Sequence, residues 1–372
     1  MIVKKAFPYV LVLAVVFILA QAVGCQKPET REIQIGAVLP LTGDIASYGK
    51  RAQNGINLAL AEINRSGTNP FRIAVEFQDG KGSAQESVTI MRKFCSLDHY
   101  PVVIGAAASS VSLAIAPIAN QYRVVQISPI SSSPDLTKEG GDYFFRVCPS
   151  DAFQAAILAD WIWKKELKRV GILFVNNSWG ISLKNRFVSE FTALGGQITT
   201  VESCMEGDRD FRTQLAKIVA SSPEAFYCPT YGTEGGLVLK QLKEIGFSGE
   251  IFGSDVWSSP ELLTSAGDAA EGVYLVKPSD PSGEAYEVFA TGFREKYNED
   301  PDVYAGYAYD IMYILQRAIA AGNTTGPDVR SYLLSMPVFK GVTGETHFDE
   351  NGDCNTKTFV RQRIMSGRYT AL

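Results

Sequence analysis

Short apolar runs alternate with amphipathic stretches from residue 33 onward. Runs typical of buried strands occur at residues 33–40, 71–77, 101–106 and 124–128. Between the first two runs, apolar residues recur at helical spacing on one face: Ala52, Ile56, Ala59, Leu60 and Ile63. Residues 83–95 and 110–121 fill the next two gaps with helix-like sequence. This alternation predicts βαβ units and a parallel sheet that is covered on both faces.

The same pattern restarts in the second half of the chain. Strand-like runs follow at residues 169–175, 196–202, 224–230, 249–255 and 271–278. Helical stretches are predicted at residues 283–298, 302–321 and 327–335, before a strand-rich end with an Asn-Gly turn at Asn351 and Gly352. A chain of 372 residues has room for two domains. We therefore predict an α/β fold of two lobes, each a doubly wound parallel sheet.

The first 24 residues have the pattern of an export signal. Lys4 and Lys5 precede the apolar core "VLVLAVVFILA", which is too short to span a bilayer. "AVGC" then places small residues directly before Cys25, which resembles a bacterial lipoprotein signal. We predict cleavage of residues 1–24, lipidation of Cys25 and a polar tether over residues 25–32; an ordinary secretory signal with a chance cysteine is the alternative. The lipid would anchor the protein outside the cytoplasmic membrane, on the periplasmic side in a two-membrane host.

The net charge and the cysteine spacing argue against nucleic acid, metal ions and cofactors as partners. The formal net charge of −5 argues against nucleic acid, because phosphate binding requires a basic face. The sequence has neither a CxxC pair nor a Cys/His spacing suited to zinc, so we expect no metal and no cofactor. An exported chain can form disulfides, and Cys148 with Cys354 is the pair that we expect.

The sequence also argues against an enzyme. Its two histidines, His99 and His347, lie outside the strand ends of the central βαβ units, so a Ser-His-Asp arrangement has no suitable base. The glycine-rich motifs of nucleotide-binding enzymes and the GxSxG elbow of hydrolases do not occur. We therefore predict a binding protein without catalytic activity.

Small hydroxyl residues follow two strands of the first lobe. "VVIGAAASSVS" covers residues 102–112 and "VVQISPISSS" covers residues 124–133. In open parallel sheets, ligands bind at the carboxyl ends of the strands. Ser109 and Ser110 stand where a helix is predicted to begin, so free N–H groups and the helix dipole favour an anion there. The sequence predicts a reversible site for one carboxylate, with an ordinary loop as the alternative.

The second lobe offers an acid and an aromatic residue at its strand ends. Asp255 ends the run "GEIFGSD", and Tyr231 follows "EAFYCPT". Asp255 could instead be the N-cap of the following helix. A carboxylate site in one lobe, opposite an acid and an aromatic ring in the other, describes a site for a zwitterionic α-amino acid.

"IGAVLPLTGDIASYGKRAQNGINLALAEIN" resembles the opening of the leucine/isoleucine/valine-binding family of periplasmic solute receptors. "ISPISSSPDLT", "NSWGIS", "GDRDF" and "AGDAAEGVYLV" match further landmarks of that family in the same order. The resemblance runs from about residue 33 to the end of the chain and implies the type I periplasmic-binding-protein fold, with three hinge strands. It implies a first lobe of residues 33–147 plus 279–343 and a second lobe of residues 148–278 plus 344–372.

The resemblance also implies roles for individual residues. The ligand carboxylate is expected at Ser109, the backbone of Ile130 and Ser132, and the ligand ammonium at Tyr231 and Asp255. The wall around the ligand's side chain is expected from Tyr48, Trp179 and Tyr304, each of which could instead serve packing alone. The family often has a glutamate at the position of Asp255 and a disulfide cysteine at that of Ala108, so this chain departs from it there.

These patterns predict a monomeric receptor that captures an α-amino acid, with leucine, isoleucine or valine first, between its lobes. The resemblance implies delivery of that ligand to an ABC-type permease. The same fold could instead bind a short amide, urea or an aromatic acid. No apolar run of 18 or more residues follows residue 24, so we do not expect a sensor that signals through its own membrane span.

Overall fold

The computed structural model describes residues 31–65 and 71–372, and its first lobe is built on a five-stranded sheet. The strands are β1 (Arg31–Leu39), β2 (Phe71–Asp79), β3 (Val102–Gly105), β4 (Val125–Ser128) and β5 (Phe144–Arg146). They are all parallel, in the order β2–β1–β3–β4–β5. The helices between them are α1 (Ala46–Arg65), α2 (Ala84–Ser96), α3 (Ser109–Tyr122) and α4 (Asp135–Glu139).

The second lobe repeats the alternation of strand and helix. Its helices are α5 (Asp151–Lys164), α6 (Ser178–Ala193), α7 (Arg212–Ala220), α8 (Gly232–Glu244) and α9 (Pro260–Ala266), with 3₁₀ turns at Asp255–Trp257 and Gly267–Ala270. Its parallel strands are β6 (Arg169–Val175), β7 (Gln197–Cys204), β8 (Ala225–Cys228), β9 (Glu250–Gly253) and β10 (Tyr274–Pro278).

The last part of the chain contributes to both lobes. It forms α10 (Glu284–Tyr297), α11 (Val303–Ala320), α12 (Gly326–Ser335), β11 (Phe339–Gly341), β12 (Gly344–Thr346), β13 (Phe359–Met365) and β14 (Arg368–Ala371). Helix α11 packs so closely on α1 that a Cβ atom at Gly55 would lie 2.1 Å from the Ala305 carbonyl oxygen. Strands β13 and β14 pair antiparallel beyond β10, which gives the second sheet the order β14–β13–β10–β9–β8–β6–β7. The predicted α/β fold of two doubly wound lobes is confirmed.

Contacts near the C-terminus bear on where the lobes divide. The Phe348 ring packs edge-on against Phe145, with centroids 5.4 Å apart, next to the first sheet. The buried Arg146 Nε donates to Asp353 Oδ1 at 2.6 Å. Because these residues lie against the first sheet, we propose that the third crossing between the lobes follows Cys354, later than the division at residue 344 that the resemblance implies.

The cysteines do not pair as the sequence suggests. All five cysteines of the described residues are buried free thiols, so the expected Cys148–Cys354 disulfide is wrong. Instead, Cys148 Sγ donates to the Ser131 carbonyl oxygen at 3.4 Å, and Cys354 Sγ lies 3.4 Å from the Thr356 hydroxyl. Burial raises the pKa of the Cys204 thiol to about 12, which makes it a poor nucleophile.

The predicted signal peptide and lipidation site lie outside the described residues, which begin at residue 31. Arg31 and Glu32, assigned to the tether, already belong to β1. Across residues 31–65 and 71–372, no helix is both long enough and apolar enough to cross a bilayer.

Candidate ligand-binding site

A cavity lies between the two lobes and brings together all eight residues singled out from the sequence. The first lobe supplies Tyr48, Ser109, Ile130, Ser132 and Tyr304, and the second lobe supplies Trp179, Tyr231 and Asp255. Sequence reasoning missed four further lining residues: Ile45, Ala107, Ala108 and Val256. All four have small or aliphatic side chains, which carry no chemical signal in a sequence.

The end of strand β3 shapes one side of the cavity. Gly105 has φ +136°, and a Cβ atom there would lie 2.3 Å from the Val38 carbonyl oxygen, so only glycine fits. Helix α3 then begins at Ser109, and the free N–H groups of its first turn lie at this side of the cavity. The Ser109 hydroxyl oxygen accepts the Ser133 N–H at 3.2 Å, which leaves the serine's own proton free to bind an anion.

Two serines of the second cluster serve the loop rather than a ligand. Ser128 Oγ donates to the Ala106 carbonyl at 2.6 Å and accepts the Ser131 N–H at 2.9 Å. Ser131 Oγ donates to the Ala106 and Ala107 carbonyls, each at 3.0 Å. These bonds join the loops that follow β3 and β4. Ser128 and Ser131 are therefore explained by the structure of these loops rather than by ligand binding.

Ser132 uses its hydroxyl differently from Ser109. Its Oγ donates to Asp151 Oδ2 at 2.7 Å, and because a hydroxyl has one proton, only its lone pairs remain for a ligand. The Ile130 N–H donates to Ser128 Oγ at 3.2 Å, so its carbonyl is the backbone group left to offer. Both groups therefore suit a hydrogen-bond donor better than the carboxylate that the resemblance assigned to them.

A buried acid that the sequence did not indicate lies beside Asp255. Gln154 Nε2 donates to Asp151 Oδ1 and to Asp255 Oδ1, each at 2.9 Å. The Asp255 N–H in turn donates to Gln154 Oε1 at 3.1 Å, and the Tyr304 hydroxyl donates to Asp255 Oδ2 at 3.3 Å. Asp255 is therefore held by residues of both lobes.

Burial makes both carboxyls prone to keep a proton. Loss of water raises the pKa of Asp151 well above its usual range, and the charge of Asp255 raises it further. Hydrogen bonds from Ser132 and Trp179 and the charge of Arg146 act in the opposite direction. Burial also raises the pKa of Asp255, against a hydrogen bond from Gln154. A ligand cation would offset this cost.

Aromatic rings form a continuous wall on the remaining sides. Trp179 stacks on Tyr231 with ring centroids 5.2 Å apart and planes 12° from parallel. Tyr48 contacts Tyr231 at 6.2 Å and Tyr304 at 5.8 Å between centroids. The Tyr231 hydroxyl accepts a hydrogen bond from Asn177 Nδ2 at 3.0 Å and keeps its own proton.

The model of the periplasmic binding protein family matches residues 32–366 of the chain. The chain belongs to this family. It is 27% identical to the Leu/Ile/Val-binding protein BraC3 of Rhizobium johnstonii over 344 residues, which cover 91% of this chain and 94% of that protein. The family resemblance read from the sequence is confirmed.

Solved structures show the same fold as this periplasmic binding protein. The leucine binding protein LivK of Thermotoga maritima is 30% identical, with a TM-score of 0.85 over 91% of this chain and 97% of that one. LivJ of Streptococcus pneumoniae, in complex with isoleucine, is 28% identical, with a TM-score of 0.83 over 92% of this chain and 99% of that one. A benzoate-bound protein from Rhodopseudomonas palustris, at 19% identity and a TM-score of 0.83, shows the shared fold alone.

Asp151 and Gln154 are the functional candidates that sequence reasoning missed in this periplasmic binding protein. They lie in the first turn of α5, where Ser150 is the N-cap and an acid is ordinary. Their spacing of three residues places them on one face of a helix, and this spacing is the feature of the sequence that indicates a pair. The strand that precedes them, β5, has three residues and does not show in the sequence pattern, so strand ends did not point to Asp151 and Gln154.

Two polar contacts join the lobes outside the cavity. Arg51 Nη2 on α1 donates to Glu261 Oε1 on α9 at 2.6 Å, and Ser182 on α6 donates to Asp135 on α4. The lobes are therefore closed on each other in this periplasmic binding protein. Across the part of the chain that the structure describes, no cluster of three metal-ligating side chains occurs.

Proposed function

We propose that this chain is the solute-binding component of an ABC-type importer and captures a zwitterionic α-amino acid with an apolar side chain. One observation carries this proposal: an anion-binding helix start in the first lobe and a buried acid, Asp255, in the second lobe line one cavity. A ligand that contacts both ends stabilises the closed form, because only that form presents both.

The two ends of the ligand would bind different groups. The Ser109 hydroxyl and the N–H groups at the start of α3 would bind the carboxylate. Asp255, the Ile130 carbonyl and the Ser132 oxygen would bind the ammonium. This assignment moves Ile130 and Ser132 from the carboxylate end to the ammonium end, because of the hydrogen bonds that their own protons already make.

The wall of the cavity favours an aliphatic side chain. Tyr48, Trp179 and Tyr304 supply apolar ring surface, and Ile45 and Val256 add aliphatic surface. Apart from Asp255, the lining residues carry no formal charge, so a charged side chain would lose its hydration without gaining a partner. Leucine, isoleucine and valine are the first candidates, in agreement with what LivJ and LivK are named for binding.

An amide, urea or aromatic acid is a weaker candidate. None of these ligands carries an ammonium group, so the buried Asp255 would face the ligand without a cation.

We also propose that the mature protein begins at a lipidated Cys25 and is a monomer anchored outside the cytoplasmic membrane. The closed, loaded form would be presented to the permease. A Cys25→Ser variant would then be released from membranes into the soluble fraction, whereas continued sedimentation with membranes would contradict the anchor.

Substitution of Asp255 tests the ammonium site directly. Asp255→Asn keeps the size of the side chain but removes its charge, and we expect leucine binding to weaken by about 2–5 kcal/mol. Calorimetric titration measures this loss. The matched control is Asp210→Asn, since the Asp210 side chain is 70% exposed and lies outside the cavity. Unchanged leucine affinity in Asp255→Asn would count against the zwitterion site.

A further inference from the structure

We propose that Gln154 is a positioning residue that makes the site select amino acids over carboxylic acids that lack an amino group. It would do so by holding Asp151 and Asp255 together as one acidic unit. This inference rests on the proposed function, because it concerns how the same site recognises the ammonium group.

Every polar group of the Gln154 side chain is used on this acid pair. Its Nε2 donates one hydrogen to Asp151 Oδ1 and one to Asp255 Oδ1, each at 2.9 Å, and its Oε1 accepts the Asp255 N–H at 3.1 Å. A primary amide has two N–H donors, and both are used on the two acids, while its carbonyl oxygen already accepts the Asp255 N–H. Gln154 is fully buried and does not line the cavity, which places it behind the acids.

The acid pair has no counter-ion of its own within residues 31–65 and 71–372. Arg146 is the cation whose charge reaches Asp151, but its Nε donates to Asp353 at 2.6 Å and its Nη1 to the Ser133 carbonyl at 2.7 Å. The other side chains that donate to the pair are Tyr304 on Asp255, and Ser132 and Trp179 on Asp151, and all three are neutral. The ammonium of an amino acid would supply the missing positive charge.

A ligand that has a carboxylate but no amino group would bind less favourably. It would bring a negative charge into a closed cavity that Asp255 lines and that lies beside the buried Asp151, and it would offer neither acid a cation. The shared donor keeps both carboxyls close to each other and Asp255 directed at the ligand. The Gln154 hydrogen bond stabilises the charged form of Asp255 against the burial that raises its pKa, so without Gln154 the Asp255 carboxyl would keep a proton more readily. A neutral Asp255 would attract the ammonium group of an amino acid less strongly. It would also repel the carboxylate of a ligand without an amino group less strongly.

The test compares L-leucine with 4-methylpentanoate, which is leucine without its amino group, by calorimetric titration at pH 7. In Gln154→Met, an apolar replacement of similar length, we expect the Kd for leucine to rise about tenfold or more, which corresponds to at least one hydrogen bond to a charged group. We expect the Kd for 4-methylpentanoate to stay unchanged or fall. The selectivity ratio between the two ligands therefore drops.

Gln126→Met is the matched control. Gln126 on β4 is also fully buried, and its side-chain amide donates to the Ser112 carbonyl at 3.2 Å, away from the acid pair. It should leave the selectivity ratio unchanged. If Gln154→Met does not fold, Gln154→Asn provides the same comparison, because its amide is one methylene too short to reach both acids and should also lower the ratio.

Two outcomes overturn the inference. An equal loss for both ligands in the Gln154 variants would show that Gln154 serves packing alone, and unchanged Kd values for both ligands would show that it has no part in binding or selection. Failure of the proposed function looks different, because the wild-type protein itself would then bind no amino acid.

Discussion

Two serines of the cavity, Ser109 and Ser132, use their hydroxyl protons differently. Ser109 and Ser132 belong to the two serine clusters that the sequence displays, yet they suit opposite charges. Ser109 accepts a backbone N–H and keeps its proton for an anion, whereas Ser132 gives its proton to Asp151. Sequence reasoning found both serines but assigned them one role, because the direction of a hydroxyl proton depends on a partner 19 residues away.

Replacement of Ser109 tests the carboxylate end. Ser109→Ala removes the free hydroxyl proton but leaves the N–H groups of α3 in place, so we expect a partial loss of leucine binding, about 1.5–3 kcal/mol. Titration calorimetry gives this value. Ser110→Ala, one residue further along α3 and outside the cavity, is the control and should bind as the wild type does. An equal effect of the two substitutions would contradict the assignment of Ser109.

Periodicity predicts the helices and strands well wherever they are long. The run at residues 169–175 coincides with β6, and the stretch at residues 302–321 differs from α11 by one residue at each end. Strand β5 and helix α4 were missed, because three and five residues are too few to show a period. Local sequence patterns also predict only part of the site. Strand ends indicated Asp255 and Tyr231, but Asp151 and Asp255 come together only when α5 packs beside the end of β9.

Contacts between strand β2 and helix α2 predict that the stability of the protein depends on pH. Hydrogen bonds from Lys93 Nζ at 2.8 Å and the Tyr100 hydroxyl at 2.6 Å lower the pKa of Glu76 to about 2 from its usual value of 4.5. A carboxyl whose pKa is lower in the folded state stabilises the protein above the pKa of the unfolded state, and that contribution disappears as pH falls toward the folded value. Because 31% of the side chain is exposed, screening by solvent limits the contribution to about 1 kcal/mol.

Urea unfolding of Glu76→Gln against the wild type between pH 6 and pH 2 checks this expectation. The variant should be less stable at pH 6, and the difference should shrink below about pH 4.5. Glu86→Gln is the control, since Glu86 is 53% exposed and lies 3.6 Å from Lys81. A stability difference that stays constant with pH would contradict the role of Glu76.

The two lobes also contact each other outside the cavity. The Arg51–Glu261 ion pair joins the lobes at 2.6 Å, and its side chains are 17% and 26% exposed. A contact made only in the closed form raises the fraction of closed protein, and the apparent affinity for a ligand of that form rises in proportion. The two lobes are thus coupled to the cavity through residues outside it.

Glu261→Gln should therefore weaken leucine binding without altering the cavity. We expect a loss of about 0.5–1 kcal/mol in titration calorimetry, the scale of a partly exposed ion pair. Glu244→Gln is the matched control, because Glu244 pairs with Arg212 at 3.1 Å within the second lobe. If Glu261→Gln and Glu244→Gln bind leucine equally well, the Arg51–Glu261 pair plays no part in closure.

Thermal unfolding of residues 26–372 with each of the twenty amino acids in turn tests whether the cavity binds a zwitterionic amino acid. The protein is first unfolded and refolded to remove any ligand that it carries from purification. A ligand at 100 times its Kd stabilises the folded state by about 2.7 kcal/mol, which raises the melting temperature visibly. We expect such a rise with leucine, isoleucine or valine and none with charged amino acids. No rise with any amino acid would contradict the zwitterion site between the two lobes.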